Sequence, residues 1–323
     1  MTRPLVSIAL ATHNGLPHLT AQLETLFAQT WAPLEIVVSD DASSDGTWDL
    51  LRKHASANKL RAYRNPHRLG LVKNFEKAIA RCKGEYIALC DQDDLWRPTK
   101  IEVLVANGSQ AELVYCNDQE YLSPSEQVSL ETRYSHIVKF ALRHGSMRLT
   151  KHLLAENWIV SHTLMFKRHL FRWALPIPQD LRYHDGWIAL VASACGEIRF
   201  VNKRLQTYRQ HVASYTAVAR TEFDAAPRQY RPWRRNWFER CAAEQKRLDA
   251  LSRLTLLNVS ELSMLSKLRR YYSLNPRPPA RIRATAAGLQ VAPYFVSLGG
   301  LGHRLRFALR PLAATGRWTA TEG

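Results

Sequence analysis

The amino-terminal part of the chain alternates continuous apolar runs with stretches that are apolar on one face only. Leu5–Ala11 is apolar apart from one serine, the pattern of a strand buried on both faces. From Pro17 to Gln29 the residues Leu19, Leu23, Leu26 and Phe27 share one side at helical spacing, which predicts an amphipathic helix. Leu34–Val38 predicts a second strand, Thr47 to Ala57 a helix, Leu60–Tyr63 a short strand and Phe75–Cys82 a further helix that Gly84 ends. Tyr86–Cys90 then predicts another buried strand. Strands alternating with helices imply an α/β domain with a mostly parallel sheet flanked by helices, in which ligands bind at the carboxyl ends of the strands.

Further along, a helix is expected from Lys100 to about Asn107, and short strands at Leu113–Cys116 and Ile159–Phe166. The polar segment from Ser123 to Thr150 reads as irregular, a flap or part of a second substrate's site. Tyr183-His184-Asp185-Gly186-Trp187 opens an apolar helix through Ala194, and Val201–Tyr208 reads as the last strand of the sheet. After Ser214 the character changes. Thr221 to Arg270 is helical in pattern and basic, Asn275–Pro279 is a proline-rich break, and Arg281 to Leu312 alternates apolar stretches with arginines. The expected organisation is an α/β domain over residues 1–215 and a basic helical appendage over residues 216–323.

Composition adds limits. A chain of 323 residues that is 46% apolar with mixed charge is globular and long enough for a large core. Its five cysteines, Cys82, Cys90, Cys116, Cys195 and Cys241, form no Cys-x-x-Cys pair, so neither a zinc site nor a disulfide framework is implied, and reduced thiols in a cytoplasmic setting are the expectation. No signal-peptide pattern and no apolar run of about 18 residues is present. The net charge is +17, and residues 217–323 hold 19 Lys and Arg against 7 Asp and Glu. Such asymmetry suits an anionic partner surface, either nucleic acid or a membrane leaflet, and equally a solvated helical face.

Three strand ends carry polar residues on the same side of the expected sheet: Thr12 and Asn14, Asp40 and Asp41, then Asp91, Asp93 and Asp94. The last group follows Tyr86–Cys90 directly. Carboxylates this close repel one another unless a cation sits among them, and Mg²⁺ or Mn²⁺ takes carboxylate oxygens together with substrate phosphates. An isolated Asp-x-Asp is more often a solvated turn that caps the next helix. The convergence of three strand ends shifts the balance toward a cation site.

Leu5 to Asn14, Val-Val-Ser-Asp-Asp-Ala-Ser-Ser-Asp-Gly-Thr at 37 to 47, and Gly-Glu-Tyr-Ile-Ala-Leu-Cys-Asp-Gln-Asp-Asp at 84 to 94 resemble, in order and spacing, the family 2 glycosyltransferases of GT-A fold. The resemblance covers roughly residues 4 to 215. Tyr183–Trp187 together with Tyr208-Arg209-Gln210-His211 looks most like the bacterial branch that includes rhamnosyltransferases of surface-polysaccharide assembly. This likeness implies a metal-dependent, inverting transferase that moves a sugar from a UDP- or dTDP-linked donor to a glycan acceptor, lipid-linked at the inner face of the cell membrane, with no nucleic-acid partner. It places Thr12, Asn14, Asp41 and Asp40 at the nucleoside, and Asp91 near the ribose or the metal shell. Asp93 and His211 become metal ligands, Asp185 the general base, and Trp187 a surface for the acceptor sugar. Asp94 is read as the cap of the following helix.

Some positions depart from the family's pattern. The Gln-x-x-Arg-Trp motif of processive synthases is missing, which disfavours a polymer-extruding enzyme. Ala42 stands where glycine is common, and Ser161-His162-Thr163 where relatives often have Gly-Cys-Thr. A nucleotidyltransferase would need a glycine-rich basic loop after the first strand, which His13-Asn14-Gly15-Leu16 is not. A nucleic-acid-binding protein driven by the basic tail would be expected to carry a recognisable binding motif, and none is found.

Overall fold

The computed structural model of the chain describes residues 2–117, 120–123, 125, 127–130, 135–155, 157–179, 181, 183–211, 244–252, 255–272 and 278–294. The apolar runs form strands β1 (Val6–Thr12), β2 (Leu34–Asp40), β3 (Arg61–Arg64) and β4 (Tyr86–Cys90), which lie side by side in parallel in the order β3-β2-β1-β4. Between them run α1 (Leu16–Phe27), α2 (Thr47–Ser56) and α3 (Leu71–Ala80), as the one-faced apolar stretches predict. Val6, Ile8, Leu10, Val38, Ala88 and Cys90 join Leu19, Leu23 and Leu26 of α1 in one core, so burial of the strand faces and of the helix stripe is the same event.

Register levels the strand ends. Leu10 is paired with Val38 on one side and Cys90 on the other, so the loops after β1, β2 and β4 leave the sheet at one height. Gly84 makes this alignment sterically possible. A Cβ there would lie 2.6 Å from the Ser7 amide nitrogen, while the Gly84 amide donates to Ser7 Oγ at 2.8 Å.

Beyond β4 the chain forms β5 (Leu95–Trp96), α4 (Lys100–Gly108), β6 (Leu113–Asn117), β7 (Glu120–Leu122), β8 (Val128–Leu130), α5 (Ser135–His144), β9 (Ser146–Met147), α6 (Thr150–Ala155), β10 (Leu164–Lys167), α7 (Phe171–Ala174), α8 (His184–Cys195), β11 (Ile198–Arg204) and β12 (Gln206–Arg209). The large sheet has eight strands in the order β3-β2-β1-β4-β10-β6-β11-β9, with β10 and β9 antiparallel to their neighbours. A second sheet runs β5-β12-β7-β8.

Three expectations need correction. The segment read as irregular contains α5, a helix. The strand expected from Ile159 begins only at Leu164, because Ser161–Thr163 closes a 3-10 turn in which Thr163 Oγ1 donates to the Val160 carbonyl at 2.8 Å. The single strand expected over Val201–Tyr208 is two. Its register breaks between Val201 and Arg204, and β12 crosses to the second sheet, where Gln206 and Thr207 pair with Trp96 and Leu95. This crossing brings Arg209 and His211 to the end of β4.

The chain divides into two compact units, residues 1–153 with 157–211, and residues 154–156 with 212–323. The expected boundary at 215/216 lies outside the described residues. In the second unit, Asn258 and Glu261 form a reciprocal capping box at the start of helix Val259–Tyr271, and this helix packs on helix Pro278–Val291. Leu248, Leu265, Leu268, Tyr271 and Val291 are buried there, so the basic carboxyl-terminal part has a core of its own. Residues 212–243 and 295–323 of the basic carboxyl-terminal region lie outside the described residues. Among the described residues no helix is long and apolar enough to cross a membrane.

Candidate active site

The loops after β1 and β2 brace each other. Asp40 Oδ1 accepts from Thr12 Oγ1 at 2.9 Å and from Ser43 Oγ, and Asp40 Oδ2 accepts from the Ser43 amide at 3.0 Å. Asp41 accepts from the amides of Leu69 and Gly70 at 2.7 and 2.8 Å and from Asn65 Nδ2 at 3.0 Å. Asn14, at φ 47°, accepts from the Ser44 amide at 2.9 Å. Ala42 sits at φ 56°, the left-handed region in which an L residue costs about 1–2 kcal/mol, so the absence of glycine there has a price in strain. The four residues expected at the nucleoside do meet at one place. Thr12, Asp40 and Asp41 are buried and engaged by the protein's own donors, however, and only Asn14 among them is exposed.

The loop after β4 is joined to the first loop by Gln92, whose amide takes the His13 N–H at 2.8 Å and donates to the His13 carbonyl at 3.1 Å. Beyond it the carboxylates diverge. Asp93 Oδ2 accepts from His211 Nε2 at 2.8 Å, and the His211 ring lies 4.4 Å from that of His18. Asp91 Oδ2 accepts from Ser161 Oγ at 2.9 Å and faces His162 Nδ1 at 3.3 Å. Asp94 is not a helix cap: β5 and Pro98 intervene before α4, and its carboxylate is fully buried, with Oδ1 accepting from the Arg209 amide at 3.2 Å and Oδ2 lying 3.6 Å from His162 Nδ1.

These contacts set the charges. Burial disfavours ionisation of Asp91, but the hydrogen bond and charge of His162, with the Ser161 hydroxyl, outweigh it and hold the carboxyl below its ordinary range. Asp94 is pushed up to about 7 by burial, with the charges of Asp93 and Asp91 adding to the shift. Lys100 lies beneath, fully buried. Its ammonium donates to the His162 carbonyl at 2.5 Å and to Gln206 Oε1, and stands 3.6 Å from the centre of the Trp96 ring. Burial lowers its pKa to about 8. His184, stacked on Phe75 at 3.9 Å, is lowered to about 4 by burial and is neutral at physiological pH.

Asp185 occupies the first turn of α8. Oδ1 accepts from Asn157 Nδ2 at 3.2 Å and from the Gly186 amide, and Oδ2 accepts from the Ser161 amide at 3.2 Å. A helix amino terminus favours a carboxylate, yet desolvation wins and raises the Asp185 pKa to about 7. Ser161 thus touches Asp185 through its backbone and Asp91 through its hydroxyl. Trp187 is placed differently from the expectation: it is buried, its indole N–H donates to the Ala174 carbonyl at 2.9 Å, and it packs in the protein instead of facing a sugar. The reason is that α8 is apolar nearly all round, so that the position two residues beyond Asp185 faces the core.

The donor chemistry fits a hard or borderline divalent cation in two neighbouring ways. Asp93 and His211 offer a carboxylate oxygen and an imidazole nitrogen already 2.8 Å apart. Asp91, Asp94 and His162 each offer one ligand atom within 4.8 Å of the others, and Asp94 Oδ2 is a buried oxygen without a hydrogen-bond partner. Sequence reasoning did not assign Lys100 or Asn157 to the site, whereas Asp94 stood in the carboxylate run after Tyr86–Cys90 and His162 in the Ser161-His162-Thr163 segment, read as part of the cleft.

The bracing role of Asp40 predicts that Asp40→Asn destabilises the fold by about 1–3 kcal/mol, since an amide cannot accept from Thr12 and Ser43 together with the Ser43 N–H. Urea unfolding measures this, and an unchanged midpoint would contradict it.

A model of glycosyl transferase family 2 matches residues 7–169, half of the chain. Putative glycosyltransferase EpsH of Bacillus subtilis is 32% identical over 66% of this chain and 63% of its own length. UDP-Glc:alpha-D-GlcNAc-diphosphoundecaprenol beta-1,3-glucosyltransferase WfaP of Escherichia coli is 36% identical over 30% of this chain and 38% of its own, so the chain spans less than two thirds of either relative. Among solved structures, S. aureus TarS 1-349 in complex with UDP-GlcNAc superposes with a TM-score of 0.61 at 14% identity, covering 95% of this chain and 88% of that one. Mannosyltransferase PcManGT from Pyrobaculum calidifontis, in complex with GDP-Man and Mn²⁺, does so with a TM-score of 0.54 at 19% identity, covering 97% and 86%. The fold is therefore GT-A, and the chain belongs to glycosyl transferase family 2.

Proposed function

We propose that this protein transfers a sugar from a UDP- or dTDP-linked donor to a hydroxyl of a glycan acceptor, with inversion at the anomeric carbon and Asp185 as general base. The observation that carries this reading is the state of Asp185: a buried carboxylate held by neutral amide donors, with a pKa of about 7, joined through Ser161 to Asp91 at the end of β4. Asp185 accepts the proton of the acceptor hydroxyl as its oxygen attacks the anomeric carbon, and the bond from that carbon to the nucleoside diphosphate breaks. The loop braced by Thr12, Asp40 and Asp41 gives the nucleoside a fixed surface. Asp93 and His211, with Asp91 adjacent, would hold Mg²⁺ or Mn²⁺, which would supply positive charge for the departing diphosphate. Lys100 and His162 keep the crowded carboxylates in place.

The relatives support the choice of substrate class. WfaP is named for a UDP-linked donor and a diphosphoundecaprenol-linked acceptor, TarS is held with UDP-GlcNAc, and PcManGT with GDP-Man and Mn²⁺. TuaG of Bacillus subtilis, 28% identical over 31% of the chain, is named for teichuronic acid biosynthesis. A lipid-linked acceptor in surface-polysaccharide synthesis is the proposal that follows. The resemblance of Tyr183–Trp187 and Tyr208–His211 to rhamnosyltransferases adds a dTDP-linked deoxysugar to the donors worth testing.

A panel of sugar nucleotides, assayed for release of nucleoside diphosphate with Mn²⁺ or Mg²⁺, identifies the donor. On that donor Asp185→Asn should retain binding and lose turnover by roughly 10²-fold or more. In the wild type kcat/KM should fall as pH drops below about 7, because protonated Asp185 cannot accept the hydroxyl proton. A variant that kept turnover and lost donor affinity would assign Asp185 to the donor site instead.

We also propose that the basic region after Ser214 attaches the enzyme reversibly to an anionic leaflet. Its 19 Lys and Arg include the cluster Arg231-Pro232-Trp233-Arg234-Arg235-Asn236-Trp237-Phe238, which mixes arginine with large apolar side chains. Each basic residue at such a surface contributes on the order of 1 kcal/mol. Co-sedimentation of the full chain with phosphatidylglycerol vesicles should succeed at low salt and weaken as salt rises. Equal binding to neutral vesicles would refute electrostatic attachment.

A further inference from the structure

Asp185 accepts a hydrogen bond from a residue that lies outside the motifs singled out in the sequence. Asn157 places Nδ2 3.2 Å from Asp185 Oδ1 and is itself fixed from two sides: Nδ2 donates to the Ile159 carbonyl at 3.0 Å, and Oδ1 accepts from the Ile159 amide at 3.2 Å. Its approach depends on the next residue of α8. A Cβ on Gly186 would lie 3.2 Å from both Cγ and Nδ2 of Asn157, tighter than ordinary contact, and Asn157 is pinned too firmly to yield easily. The Asp-Gly pair in Tyr183–Trp187 is thereby explained as a unit, with the carboxylate first and then the space its orienting amide needs.

We propose that Asn157, seated against Gly186, is the positioning residue for Asp185, fixing its carboxylate between the 157–161 turn and the start of α8. This rests on the reading of Asp185 as the base and names what prepares it. The two oxygens differ in their duties. Oδ1 serves Asn157 and Gly186, while Oδ2 has the Ser161 amide as its one donor among the contacts described and keeps the greater capacity to accept a proton. Both outer donors are neutral amides, so the carboxylate is oriented without a cationic hydrogen-bond donor. The charged and titratable groups facing Asp185 are Asp91 at the end of β4 and His162 in the 3-10 turn, with His184 adjacent on α8.

The test needs no substrate. In full-length protein labelled with carboxyl-¹³C aspartate, the Asp185 resonance is identified by its loss in Asp185→Asn and followed through pH. Asn157→Ala removes a donor to the charged form, so the Asp185 pKa should rise by about half a unit or more. Gly186→Ala leaves the chemistry of Asn157 intact and only displaces it, and should shift the titration in the same direction, which keeps the test usable if Asn157→Ala folds poorly. An Asp185 titration unmoved in folded Asn157→Ala or in folded Gly186→Ala overturns the inference. Full turnover in Asp185→Asn would instead overturn the base assignment, whatever the titration shows, so the two failures are distinguishable.

Discussion

Carboxylates gathered in a dry place must each be answered by a donor or a cation, and that constraint organises this site. Asp91, Asp93, Asp94 and Asp185 stand near the end of one strand and the start of one helix, Asp94 and Asp185 buried and the other two partly so. Each has a different answer. Asp93 takes an imidazole, Asp91 a hydroxyl and a second imidazole, Asp94 a backbone amide, and Asp185 amides alone. Partners of different strength divide one kind of side chain into several kinds of chemical group. Asp91, beside the His162 imidazole and the Ser161 hydroxyl, is held below its ordinary range, whereas Asp94 and Asp185, with amide donors and little solvent, are pushed up to about 7.

The fold delivers these partners from far apart in the chain. Register between β1, β2 and β4 levels three loops, and the break after Val201 sends β12 across to the second sheet so that Arg209 and His211 reach Asp93 and Asp94. The 3-10 turn at Ser161–Thr163 presents a backbone amide, a hydroxyl and an imidazole within three residues, and Lys100 holds that turn from below through the His162 carbonyl. Ser161 links Asp185, the carboxylate proposed for catalysis, with Asp91 on the donor side. A change at this turn is felt on both sides.

Much of this was legible in the sequence, for a physical reason. A strand buried on both faces leaves a continuous apolar run, and a one-faced helix leaves its spacing, so β1, β2, β4, α1 and α2 could be read within a few residues of their bounds. The gathering of carboxylates at the end of β4 was equally legible, because Asp91, Asp93 and Asp94 follow a buried strand directly. What stayed hidden depends on contacts between distant residues. Nothing local distinguishes a lysine that will be buried, such as Lys100, from any other helix lysine, nor an asparagine that orients Asp185 from one in an ordinary turn. Trp187 misled because an aromatic beside a catalytic candidate suggests sugar stacking, whereas its helix is buried nearly all round. Asp40 and Asp41 meet where expected, and the hydrogen bonds that brace their loop, from Thr12, Asn65, Leu69 and Gly70, join residues too far apart in the chain to be read locally.

The central claim is a division of labour between carboxylates of one site. Electron paramagnetic resonance of Mn²⁺ in the presence of UDP tests it most directly. The account predicts that Mn²⁺ binding is lost in Asp93→Ala, weakened in His211→Ala and unchanged in Asp185→Asn. Binding that survives in Asp93→Ala and disappears in Asp185→Asn would reverse the roles and contradict it.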